Sequence, residues 1–172
     1  MTNIFLTGYR ATGKSSVANL LAIALSKEVV DADVYLEQEA GMTIAEIFAL
    51  EGEQGFRDRE TAIVRELSAR ENTVIALGGG AVLREENREA LIGRGITVWL
   101  TASPDVVYER MTTDPLTGQR RPNLTSTGGL QEIHDLLAQR TPLYQQVADF
   151  KVDTEGLSPE QVASEVVRQL SD

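Results

Sequence analysis

Residues Gly8-Tyr9-Arg10-Ala11-Thr12-Gly13-Lys14-Ser15 fit the pattern G-x-x-x-x-G-K-[ST] and stand between a short apolar run and an amphipathic one. Asn3 to Thr7 reads as a buried strand. Val17, Leu20, Leu21, Ala24 and Leu25 recur at helical spacing behind the loop. A loop so flanked opens a helix, and a helix N-terminus offers free backbone N–H groups and the positive end of the dipole to phosphate oxygens. Lys14 can reach the β- and γ-phosphates and Ser15 can ligate Mg²⁺, so the run predicts an ATP site. Gly8, Ala11, Thr12, Gly13, Lys14, Ser15 and the following Ser16 are its expected nucleotide-binding residues. The plainer alternative is a glycine-punctuated turn.

Strand signals recur at Asn3 to Thr7, Glu28 to Asp31, Thr73 to Leu77, Ile96 to Leu100 and Asp149 to Asp153, with helical stretches between them. That alternation predicts an α/β fold, a five-stranded parallel sheet flanked by helices. Thr43 with Glu46 and Ser158 with Gln161 are capping boxes, and Pro104 and Pro159 stand at first helical positions. Gly41 and Gly52 read as C-caps. The one long irregular stretch, residues 112–129, is rich in Thr, Gly, Pro and Arg, a composition that suits a lid or binding loop.

With 172 residues, 42% of them hydrophobic, the chain is expected to form one domain over 1–172. It has no cysteine, so a disulfide framework and thiolate zinc sites are excluded. The first strand follows Met1 directly and no apolar run approaches the ~20 residues of a membrane span, so a soluble, cytoplasmic protein is expected. A net charge of −10 disfavours nucleic-acid and anionic-membrane partners. An anionic ligand must then find positive charge locally. Thirteen of the sixteen basic residues are arginine, among them Arg57, Arg59, Arg120, Arg121 and Arg140, and each taken singly could be solvated surface.

Asp31-Ala32-Asp33 ends the second strand, at the sheet edge where ligands of open α/β sheets gather, and the two carboxylates could serve Mg²⁺ and a substrate hydroxyl. Alternatively, Asp33 caps a helix over Val34 to Ala40. Arg57 and Glu60 are neighbours at i, i+3 on a helix whose apolar stripe is Phe56, Ile63 and Leu67, which allows either a site pair or a surface ion pair. Gly78-Gly79-Gly80 follows the third strand and permits positive φ and close backbone approach, to a ligand or merely in a turn. His134 reads as a surface residue and Trp99 as core.

Taken in order, Gly8 to Ser15, Asp31-Ala32-Asp33, Phe56-Arg57-x-x-Glu60, Gly78-Gly79-Gly80, Arg121-Pro122 and Arg140-Thr141-Pro142-Leu143-Tyr144 resemble the shikimate kinase family across nearly the whole chain. The resemblance implies ATP- and Mg²⁺-dependent phosphorylation of the shikimate 3-hydroxyl, a step in chorismate and aromatic amino acid biosynthesis, on a nucleoside-monophosphate-kinase-like fold, by a monomer. It implies that Asp33 holds and deprotonates the hydroxyl, with Lys14 and Arg121 completing the catalytic set, and that Asp31 helps to hold Mg²⁺ beside Ser15. Arg57 and Arg140 would clamp the shikimate carboxylate, Gly79 and Gly80 would offer backbone contacts, and Glu60 would orient Arg57. Arg121 would arrive with the lid, and Arg110 and the segment around Pro159 would flank adenine.

The chain departs from the family pattern at Ala11, Ser16 and Asn123-Leu124, and Arg10 is unusual within the loop. Two rival readings are a gluconate kinase on the same fold, which the Arg57/Glu60 element opposes, and a GTPase-type switch. The switch lacks its Asn-Lys-x-Asp guanine signature here.

Overall fold

The computed structural model describes residues 2–114 and 128–172. Its strands are β1 (Asn3–Thr7), β2 (Glu28–Asp31), β3 (Thr73–Ala76), β4 (Gly95–Thr101) and β5 (Phe150–Asp153). They pair in parallel in the order β2-β3-β1-β4-β5. The described helices are α1 (Lys14–Leu25), α2 (Ala32–Ala40), α3 (Ile44–Ser68), α4 (Glu85–Leu91), α5 (Pro104–Thr113), α6 (Gly129–Val147) and α7 (Pro159–Ser171). The expected parallel sheet between helices is thus present.

Side chains of a strand alternate between faces, and both faces are covered here, so the central strands are mostly apolar, with Asn3, Thr7, Thr73 and Thr97 as their buried polar residues. Ile4, Leu6, Val74, Ala76, Val98 and Leu100 pack on α1 and α7 through Val17, Leu21, Val162 and Val166. Phe5, Ile75 and Leu77 face the other way, onto Leu36, Ile47, Phe56, Val64 and Leu67 of α2 and α3 and Leu91 of α4. The buried stripe of α1 is Val17, Ala18, Leu21 and Ala22, whereas Ala24, expected inside, is exposed. Leu20 and Leu25 pack at its margin.

Both capping boxes form, at Thr43/Glu46 and Ser158/Gln161, and Pro104 and Pro159 open α5 and α7. Gly41 caps α2. Gly52 instead sits inside α3, where φ 71° and ψ −176° break the helix and let it resume. The break is strapped by a two-pronged contact of Arg59 with Glu51, at 2.9 and 2.7 Å. The ends of the stretch expected to be irregular are helical, since Thr112 and Thr113 close α5 and Gly129 opens α6. Arg120, Arg121, Pro122 and Asn123 lie outside the described residues.

Strand order locates the site. β1 and β3 are neighbours, yet β1 runs on into α1 on one face and β3 into α4 on the other. Their following loops diverge at the carboxyl ends of the strands, and such a switch point leaves a crevice.

Candidate active site

The crevice has a phosphate loop on one wall. Gly13 caps α1 at φ 84° with no side-chain cap, so the first helical N–H groups are left for another acceptor. Gly8 is close against the sheet: a Cβ there would stand 2.4 Å from the Leu100 carbonyl oxygen. Lys14 is buried, and its Nζ donates to the carbonyls of Gly8 at 2.8 Å and Tyr9 at 2.7 Å, folded along the loop that phosphate would enter. Thr12 Oγ1 donates to the Tyr9 carbonyl at 2.8 Å.

Ala11 sits in the left-handed region at φ 56°. That conformation costs a residue with a Cβ about 1–2 kcal/mol, of which the extra unfolded-state freedom of glycine would offset about half. Ala11→Gly is therefore expected to raise stability by about 0.5–1 kcal/mol in urea denaturation, and an unchanged or lower midpoint would show that the turn is unstrained.

Asp31 and Asp33 divide their work differently from the capping alternative. The residue that caps α2 is Asp31, whose Oδ1 accepts from the backbone N–H of Asp33 at 3.0 Å and of Val34 at 3.2 Å. Its other oxygen accepts from the Ser15 hydroxyl. The helix starts two residues earlier than expected, which leaves Asp33 in its first turn, lining the pocket.

That pocket is also lined by Arg10, Arg57, Glu60, Gly78, Gly79, Gly80 and Arg140, with Ile44, Phe48 and Phe56 as its apolar side. Arg57 and Glu60 are only 8% and 5% exposed and meet at 2.7 Å, so they form a buried pair and not a surface one. Burial pushes the Glu60 carboxyl above its usual range, against the lowering effect of Arg57. Arg140 is 3% exposed, its guanidinium lies 5.6 Å from the Tyr9 ring centroid, and its Nε has no hydrogen-bond partner among the described residues.

None of the three glycines takes a positive φ, and two of them, Gly78 and Gly80, serve close approach. A Cβ on Gly78 would fall 2.7 Å from Asp33 Oδ1, and one on Gly80 would fall 2.4 Å from Arg57 Nη1. Tyr144, fully buried and stacked on Trp99 at 5.7 Å, donates its hydroxyl to the Gly79 carbonyl at 2.6 Å and so ties the turn to α6. Sequence reasoning gave Tyr144 no role, and nothing local in the sequence marks a contact across 65 residues.

On the far side of the loop, Arg110 donates to the Ala11 carbonyl at 3.0 Å and to the Thr154 side chain and carbonyl at 3.0 and 3.1 Å. It lines another cleft with Thr12, Val17, Leu157 and Pro159, which brings Arg110 and Pro159 together. His134 is exposed, and Trp99 is core.

A nucleotide-phosphate loop that shares a wall with a small, arginine-rich pocket sets the two partners of a phosphoryl transfer side by side, the arrangement of a P-loop small-molecule kinase. Comparison with known proteins narrows the class. A family model described as "Shikimate kinase" matches residues 10–171. The shikimate kinase of Rhodopirellula baltica is 46% identical over 166 residues, covering 96% of this chain and 89% of its own. That of Symbiobacterium thermophilum is 44% identical, covering 99% and 97%. The solved structure of shikimate kinase from Acinetobacter baumannii in complex with shikimate aligns with a TM-score of 0.93 at 37% identity, over 99% of this chain and 93% of that one. The chain belongs to the shikimate kinase family. The gluconate-kinase and switch alternatives fall with that assignment.

Proposed function

We infer that the chain transfers the γ-phosphoryl group of ATP to the 3-hydroxyl of shikimate, with the acceptor in the pocket of Asp33, Arg57 and Arg140. The observation that carries this reading is Arg140, a cation buried beside the phosphate loop with an unpartnered Nε, in a pocket whose described lining holds three arginines and two carboxylates. A buried N–H donor without an acceptor is costly, and the carboxylate of the acceptor would satisfy it. Planar guanidinium forks suit a carboxylate, and Phe48 and Phe56 suit the carbon face of a small ring. The similar fold of the Acinetobacter enzyme, solved with shikimate, supports the same occupant here.

Asp33 accepts the proton of the acceptor hydroxyl as its oxygen bonds to the γ-phosphorus, and the bond from that phosphorus to the bridging oxygen breaks to release ADP. Lys14 and the first N–H groups of α1 carry the phosphate charge. Mg²⁺ would be held by the Ser15 hydroxyl with Asp31 behind it, an exposed oxygen pair that suits a hard cation bound mainly through water and phosphates, and it would neutralise charge on the β- and γ-oxygens. Gly79 and Gly80 would present backbone to the acceptor. Arg110 and Pro159 would flank the adenine. Arg121 enters on the resemblance of Arg121-Pro122 alone.

Phosphorus NMR of a reaction with ATP, Mg²⁺ and shikimate tests this directly. A new monoester coupled to the proton on C3 is expected, and ATP hydrolysis without it would refute the acceptor. The clamp has its own test. In Gly80→Ala the new Cβ displaces only the flexible tip of Arg57, so the fold should persist while KM for shikimate rises roughly tenfold or more and KM for ATP holds. An unchanged KM for shikimate would show that the position of Arg57 is immaterial.

A further inference from the structure

We propose that Arg10 is a third carboxylate-reading arginine of the acceptor pocket, a specificity residue supplied by the phosphate loop itself; this rests on the acceptor site proposed above. In the loop pattern its position is unconstrained, because phosphate is bound by backbone N–H groups and the lysine, and the serine serves Mg²⁺. An arginine there belongs in water unless something else holds it. Arg10 is instead 4% exposed and lines the pocket with Arg57 and Arg140.

Its place within the pocket is defined by Gly79. A Cβ on that glycine would lie 3.6 Å from the Arg10 backbone nitrogen and 3.6 Å from Arg140 Nη1, so the backbone of Arg10 and the guanidinium of Arg140 flank the same glycine. The preceding residue, Tyr9, supplies the ring that faces Arg140. The loop thus backs Arg140 with the Tyr9 ring while Arg10 lines the acceptor pocket. The adenine-side cleft is lined by Thr12, Val17, Arg110 and Pro159 and not by Arg10.

Titration calorimetry on the full chain tests this with wild type and Arg10→Met, using shikimate, shikimate methyl ester and ADP as probes. Arg10→Met is expected to weaken shikimate about tenfold or more, the scale of a lost charge-assisted hydrogen bond, while the Kd values for the ester and ADP change less than about twofold. Unchanged shikimate affinity, an equal loss for the ester, or a parallel loss of ADP affinity would each overturn the proposal. Should Arg10→Met fail to fold, Arg10→Lys carries the same comparison with a smaller expected loss of about threefold, since the charge remains without the fork. Failure of wild type to bind shikimate would refute the acceptor reading itself, whereas tight wild-type binding with an indifferent Arg10 variant refutes this inference alone.

Discussion

Replacing Asp33 by asparagine lowers kcat at least ~10²-fold while ADP affinity stays within about twofold, because the amide keeps the shape but cannot accept the hydroxyl proton. The substitution is clean for a structural reason. Asp31, not Asp33, caps α2, so the helix start survives the change. Steady-state kinetics with nucleotide titration and thermal melts alongside would measure it. Turnover near wild type would remove Asp33 from the chemistry, and a large drop in melting temperature would give it a structural role instead.

Arg57→Lys and Arg140→Lys each raise KM for shikimate at least about tenfold although charge is conserved, because an ammonium cannot reproduce a two-pronged contact with a carboxylate. KM for ATP should hold in both. The two variants should part company in their pH response. Glu60, whose folded-state pKa is raised by burial and held down by Arg57, favours the fold in its protonated form. Its contribution is thus fully present below the ordinary carboxylate range and is lost as pH rises through the folded value. Arg57→Lys weakens the contact at 2.7 Å that limits the shift, so its cost in stability should grow with pH across and above that range. Arg140→Lys, lacking that direct contact, should lose stability with little pH dependence. Equal profiles for the two variants would contradict this division of labour, and calorimetric titration with unchanged shikimate affinity in both would remove the clamp.

Features written in a few neighbouring residues were legible in the sequence. The phosphate loop, the capping boxes at Thr43 and Ser158 and the strand positions all depend on local spacing, and all appear where the spacing put them. Asp31 and Asp33 were harder, since both are good caps two residues apart and only the hydrogen bonds to Asp33 and Val34 choose between them. Ala24 was assigned to the buried stripe of α1 because alanine carries little apolar signal of its own, and the packed neighbours on the sheet select Ala22 instead. Arg10 looked like an oddity of the loop. Its burial, the unpartnered Nε of Arg140 and the tie from Tyr144 to Gly79 are products of tertiary contact, which no periodicity encodes.

On this reading the arginine pocket beside the phosphate loop selects shikimate as the phosphoryl acceptor. A coupled assay of ADP release with ATP and Mg²⁺ across shikimate, quinate, gluconate and AMP tests it most directly. Saturable turnover with shikimate is expected, at a kcat/KM at least ~10² above the other three, since a site built to hydrogen-bond one acceptor rejects analogues that leave its buried groups unpaired. Comparable or greater efficiency with gluconate or AMP would contradict it.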